Sequence, residues 1–251
     1  DGTPVYYPSH LFGLFSPFNA DVISNATLHK SSIPAQYGGR ASSVLRVEQK
    51  SGDLDSYHLR GGVSPITSRL QVEGPIFEGK TSFIAAGRLS YVNWLLGTAN
   101  DPDVKRSEAS FYDANLKLTH RFGPSNEVEA MGYRAYDDVL LADSTFSYAT
   151  TNASLEWKHL FTEDFLSKTR ATLARYDFTI QDDRPANAFL LESDVRTLKF
   201  TQDFSWTLND VHTVSAGLAA KYHDINPGRI RPDDPNSAVN SLRVSSDYGL
   251  E

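Results

Sequence analysis

From about residue 54 onward, apolar and polar positions alternate with period two, which predicts strands with two chemically different faces. In 111–122, Tyr112, Ala114, Leu116, Leu118 and Phe122 alternate with Asp113, Asn115, Lys117, Thr119 and Arg121, and only Phe111 and His120 break the pattern. In 152–161, Ala153, Leu155, Trp157, His159 and Phe161 oppose Asn152, Ser154, Glu156, Lys158 and Leu160. Leu198, Phe200, Phe204, Trp206 and Leu208 share a face in 197–208 with one polar intruder, Gln202, and Val214, Ala216, Leu218, Ala220 and Tyr222 share one in 213–223. The pattern predicts about ten antiparallel strands in an up-and-down meander, each of about 9 to 16 residues.

The connections carry a second regularity. Short turns at Glu78-Gly79-Lys80, Gly123-Pro124-Ser125-Asn126, Thr162-Glu163-Asp164 and Asn209-Asp210-Val211 alternate with longer polar segments at 97–109, about 138–147, 182–190 and 225–240. From residue 54 every proline falls at or beside a predicted connection, leaving the strands their ladder donors. Soluble sandwiches also alternate, but their strands average ~5–6 residues. A membrane barrel needs ~9–11 residues per span, short turns on one rim and long loops on the other. Phe122, Phe161, Trp206 and Leu208 lie near the short turns, where an interfacial girdle belongs. Residues 1–52 differ from the rest: turn residues and short apolar stretches predict a small mixed α/β unit there.

Composition narrows the chemistry. The 251 residues include 31 acidic and 24 basic ones, and no cluster of Lys and Arg suggests a nucleic-acid partner. The absence of cysteine excludes disulfides, thiolate zinc and a cysteine nucleophile. The longest uninterrupted apolar runs, such as Ala216 to Ala220, fall far short of the ~20 residues of a transmembrane helix, which leaves a β-barrel allowed.

The first 52 residues also carry a family likeness. Asp1-Gly2-Thr3-Pro4-Val5, Leu11-Phe12-Gly13-Leu14-Phe15, Phe18-Asn19-Ala20-Asp21-Val22-Ile23, Pro34-Ala35-Gln36-Tyr37-Gly38-Gly39-Arg40, Ser42-Ser43-Val44 and Lys50-Ser51-Gly52 resemble the C-terminal half of the plug of a TonB-dependent outer-membrane transporter. The branch most resembled is that of Bacteroidota receptors, whose opening hairpin is similar to Gly74-Pro75-Ile76 and Thr81-Ser82-Phe83-Ile84. Ala20 stands where the family often has Pro, and Ser31-Ser32 where it often has Gly.

The resemblance implies a mainly all-β chain: the C-terminal part of a plug domain over 1–52, and over 53–251 the first part of an antiparallel transmembrane β-barrel, about ten strands of an expected 22. It implies a bacterial outer-membrane location and a piece of a longer protein. The partners it implies are outer-membrane lipid, TonB acting through a segment outside this sequence, and an outer-membrane lipoprotein or complex subunit. The function implied is import of a nutrient ligand (glycan, peptide or chelated metal) by energy-coupled plug rearrangement. A receptor-like barrel serving as a non-transporting subunit of a larger surface complex stands as the alternative, and a soluble β-rich binding or hydrolytic domain as a third.

No enzymatic motif is found: G-x-G-x-x-G, a Walker loop and G-x-S-x-G are all missing, and no catalytic residue or cofactor is expected. The seven histidines show no ligand spacing, so no metal site is expected, and His120 and His159 read as interfacial or hydrogen-bonded structural residues. The carboxylate pairs Asp101/Asp103, Asp182/Asp183 and Asp233/Asp234 could bind Ca²⁺ but read better as solvated loop charges. Tyr6, Tyr7, His10, Phe12 and Phe15 are the candidate ligand contacts, with packing of the plug onto the wall as the competing reading. Gly38, Gly39 and Arg40 are candidates for plug–barrel coupling, the glycines for a tight turn and the arginine for ion pairs to the wall.

Overall fold

A computed structural model describes residues 2–31, 33–39 and 42–251. Nine consecutive strands form an antiparallel meander: β3 (His58–Val63), β4 (Thr67–Phe77), β5 (Thr81–Ser90), β6 (Glu108–Gly123), β7 (Asn126–Leu141), β8 (Ser144–Thr162), β9 (Phe165–Asp182), β10 (Phe189–Thr207) and β11 (Thr213–Pro232). Two short strands, β12 (Leu242–Arg243) and β13 (Asp247–Leu250), pair with the outer side of β11. The sheet is open: β3 at one end does not meet β11 to β13 at the other, so the expected barrel is not closed within this chain. The segment expected as a last strand over 241–251 lies at that open edge, split into two pieces.

The period-two pattern sets the register and with it the two faces. In β6, Phe111, Asp113, Asn115, Lys117 and Thr119 are buried while Tyr112, Leu116 and Leu118 are exposed. The same inversion runs across the sheet: Asp137, Thr150, Asn152, Glu156, Thr172, Thr197 and Thr201 are buried, whereas Leu155, Trp157, Leu198, Phe200 and Phe204 are open. The face covered in this sheet is thus the polar one, and the face left open is the apolar one.

What covers it is the N-terminal segment. The described residues of 2–51 form a hairpin of β1 (Ile23–His29) and β2 (Val44–Gln49) and three single-turn 3₁₀ helices at 11–13, 20–22 and 35–37. The expected α/β unit thus has no α-helix among its described residues. Prolines at 4, 8, 17 and 34 interrupt stretches already too short to sustain one. The segment docks through two small cores, Leu11–Phe111–Val139 and Val22–Ile84–Ala86.

Two of the expected long connections are shorter. The one near 138–147 is a two-residue turn at Ala142-Asp143, because β7 and β8 pair out to Leu141 and Ser144. The one at 225–240 begins only after Pro232, because β11 continues through its prolines. Pro227 falls at a bulge where β11 carries one residue more than β10, between the Asn226–Asp194 and Arg229–Glu192 pairs, so no ladder donor is needed there. Pro75 is accommodated by a similar register shift in β4. The segment 97–109 holds a one-turn helix, Pro102–Arg106, capped by the Asp101 carboxylate and opened by Pro102.

Candidate functional site

The candidate aromatic residues all lie where the N-terminal segment crosses the polar face, toward the rim that carries the longer connections. Tyr6 Oη and Thr197 Oγ1 on β10 are 2.5 Å apart. The Tyr7 ring stacks on Tyr148 of β8 at 4.4 Å and 6°, and more loosely on Tyr176 of β9. Phe12 meets Phe146 and Tyr148 edge-on, and its own ring stays 53% exposed. Phe15 packs on Phe111.

His10 is the most constrained of the set, at 1% exposure. Its ring stacks on Phe111 at 4.3 Å, Nδ1 lies 2.7 Å from Asp137 Oδ2, and Nε2 lies 3.6 Å from Asp113 Oδ2. Burial disfavours the imidazolium, but the Asp113 and Asp137 carboxylates outweigh it and hold its pKa above the ordinary value. Asp137 Oδ1 also accepts from the Leu11 N–H at 2.9 Å. Arg88 Nε donates to Asp113 at 2.7 Å, while Nη2 reaches the Ser16 carbonyl at 2.7 Å. Tyr133 donates to the Pro17 carbonyl at 2.7 Å, so side chains from β5, β6 and β7 grip residues 10–17.

A second contact zone lies toward the short-turn rim. Gln49 Nε2 donates to Asn115 Oδ1 at 2.9 Å, Lys117 Nζ donates to the Gln49 carbonyl, and Ser51 donates to Glu129. Around these, Lys158 lies within 4 Å of carboxylate oxygens of Glu127, Glu129 and Glu156, and Arg170 binds Glu156 through two guanidinium nitrogens. Gln71, Thr172 and Thr201 are buried with side-chain atoms lacking a protein partner among the described residues.

The remaining candidates fall elsewhere. Gly38 and Gly39 are exposed beyond the 3₁₀ turn 35–37. Gly39 adopts φ +75°, as a glycine turn requires, and nothing of the sheet lies within 4 Å of a Cβ placed on it. Arg40 lies outside the described residues. Histidines 120 and 159 bond to Thr81 and Asn126. Asp101 caps a helix, Asp103 pairs with Arg106, Asp182 with Arg184, and Asp234 accepts from the Asn236 N–H. Among the described residues no group of three or more His, Cys, Asp or Glu could hold a metal ion.

Sequence reasoning missed Arg88, Tyr133, Asp137, Tyr148 and Tyr176. One signal was available in Phe111, the apolar residue that breaks the alternation on the polar face: it is the surface on which His10 and Phe15 pack. No protein-family model, curated protein or solved structure matches the chain.

Proposed function

We propose that this chain is part of the wall and plug of an energy-coupled outer-membrane importer, resembling the TonB-dependent receptors, with β3 to β11 spanning the membrane and residues 2–52 lying in the lumen. The observation that carries the reading is the inverted burial: a contiguous apolar face open to the surroundings, backed by a polar face filled by the N-terminal segment. Dimensions support it. From Tyr112 to Phe122 along β6, ten residues at ~3.3 Å each make about 33 Å. A strand tilt of ~40° reduces this to about 25 Å, the height of an outer-membrane apolar band.

Aromatic rings mark both limits of that band. Near the short turns, His120 packs on Phe122, His159 on Phe161, Phe161 on Phe165 and Phe165 on Trp206; toward the other rim Tyr112 packs on Tyr136. In this reading, Phe12 and the rings of Phe146 and Tyr148 beside it are where a ligand entering from the long-connection side meets the plug. The ligand binds there, TonB engages the periplasmic side, and displacement of the N-terminal segment opens the path.

The test is uptake. Cells carrying the full-length protein in their outer membrane are expected to accumulate a ligand of the nutrient classes above only while the proton-motive force is maintained. Recovery of the protein in the soluble fraction would overturn the membrane reading. Outer-membrane recovery without energy-dependent uptake would favour a non-transporting subunit of a surface complex.

A further inference from the structure

We propose that His10 is a proton-operated latch: as imidazolium it bridges Asp113 and Asp137 and fastens residues 10–17 to the sheet, and on losing its proton it lets that segment loosen. The latch goes beyond the importer reading and does not depend on transport.

His10, Asp113 and Asp137 are each 1% exposed. Among the described residues the only other full charge within ion-pair distance of this group is Arg88, which faces Asp113 from β5 at 2.7 Å. Two carboxylates are thus balanced by one guanidinium and one imidazolium. With neutral His10 the cluster carries a net negative charge, and an unbalanced buried charge is strongly unfavourable. The other titratable groups beside it are tyrosines: Tyr7 on the same segment, Tyr133 on β7, Tyr148 on β8 and Tyr176 on β9. Neutral phenols do not replace the missing positive charge.

The same carboxylate holds strained backbone. Leu11 and Phe12 adopt φ of +47° and +56°, the left-handed region that residues with a Cβ rarely occupy. The Leu11 N–H is bonded to Asp137 Oδ1, and the backbone bridge between His10 and Phe15 closes the loop around them. Weakening the His10–Asp137 contact therefore also frees a loop that has conformational energy to release.

The sign follows from linkage. Because the folded pKa lies above the unfolded ~6.5, the stabilisation is fully present below ~6.5 and is lost as pH rises through the folded value. Residues 1–251 contain no cysteine, so spin labels at Leu14→Cys and Asp143→Cys, with any cysteine elsewhere in the full-length protein replaced, report one distance in detergent. A single narrow distribution is expected at pH 5. A second, broader population should grow as pH rises, its ratio to the first changing by up to tenfold per pH unit.

His10→Gln keeps the shape and some hydrogen bonding but not the charge, and its distribution should not respond to pH. Asp113→Asn removes one carboxylate favouring the imidazolium and should move the transition to lower pH. This second variant carries the test if His10→Gln misfolds. Identical distributions from pH 5 to pH 9, or an unshifted transition in both variants, would overturn the latch. Energy-dependent uptake, measured separately, decides the importer reading whichever way the labels move.

Discussion

Thr169 and Gln202 face each other across β9 and β10, Thr169 Oγ1 donating to Gln202 Oε1 at 2.6 Å on the face that otherwise carries Leu198, Phe200 and Phe204. Gln202 Nε2 in turn donates to Ser167 Oγ at 2.8 Å. The polar intruder of β10 is therefore bonded within the sheet, as a group would need to be if this face met hydrocarbon.

Thr169→Val should leave the Gln202 carbonyl without that donor and cost about 1–3 kcal/mol. Thr169→Val combined with Gln202→Leu should recover most of the loss, because both ends of the bond then become apolar. Urea unfolding of the membrane-reconstituted protein measures both. A double variant as weak as the sum of the single losses would show that the pair does not face an apolar medium.

Leu116 lies midway along the exposed face of β6, between Tyr112 and Phe122. Leu116→Arg is expected to cost about 2–4 kcal/mol of folding free energy if it sits at the bilayer midplane. In water, arginine at an exposed strand position should cost a few tenths at most. Bilayer assembly unaffected by the substitution would place this face in water.

The two-faced strands and most turns were legible because alternation is local: each side chain of β6 reports its own face. Strand ends were less legible. Asp138 and Ser144 look like loop residues, yet Asp138 is paired with Ser110, and Ser147 donates to Asp138 from the neighbouring strand at 2.6 Å. Burial and cross-strand bonding there override the polarity that suggested a connection. The site was half legible. Tyr6, Tyr7, His10, Phe12 and Phe15 stood out as an aromatic run, but His10 meets Asp137 across 127 positions of chain, a separation that no local pattern reveals.

Gly52 marks where the N-terminal segment leaves the sheet, and a Cβ on it would meet the Phe83 carbonyl oxygen at 2.1 Å. The obstacle is backbone already committed to β5, so it cannot swing aside. Gly52→Ala should cost about 1–3 kcal/mol or displace the segment. Gly132→Ala, where nothing lies within 4 Å of the added carbon, is the control and should be close to neutral. Equal melting temperatures for the two variants would contradict the close approach.

Asp53 accepts from the backbone N–H groups of Asp55 and Ser56 at 2.7 and 2.9 Å and lies 3.0 Å from the His58 ring, and these contacts hold its pKa at about 2. With the folded value depressed, its contribution to the turn leading into β3 is present above ~3.9 and lost as pH falls through about 2. Carboxyl ¹³C titration should give a midpoint near 2. A midpoint at the ordinary aspartate value would mean that the turn is not formed.

The open edges carry the last prediction. β3 offers one unpaired side, and β11 another along Thr213–Ala220, where neither β12 nor β13 reaches. If the sheet spans a membrane as proposed, every unpaired N–H or C=O in hydrocarbon costs several kcal/mol, and both edges then have to find strands. They cannot simply find each other around the N-terminal segment: barrel diameter grows with strand number, and ~8 strands enclose an interior that side chains already fill. On the membrane reading, a wall holding some fifty residues against its inner face would need strands beyond those of this sheet. Residues 1–251 expressed alone should therefore associate through their edges or fail to insert. A heat-modifiable, protease-resistant monomer in detergent would mean that these strands close on themselves, and the lumenal placement of residues 2–52 would fall with that result.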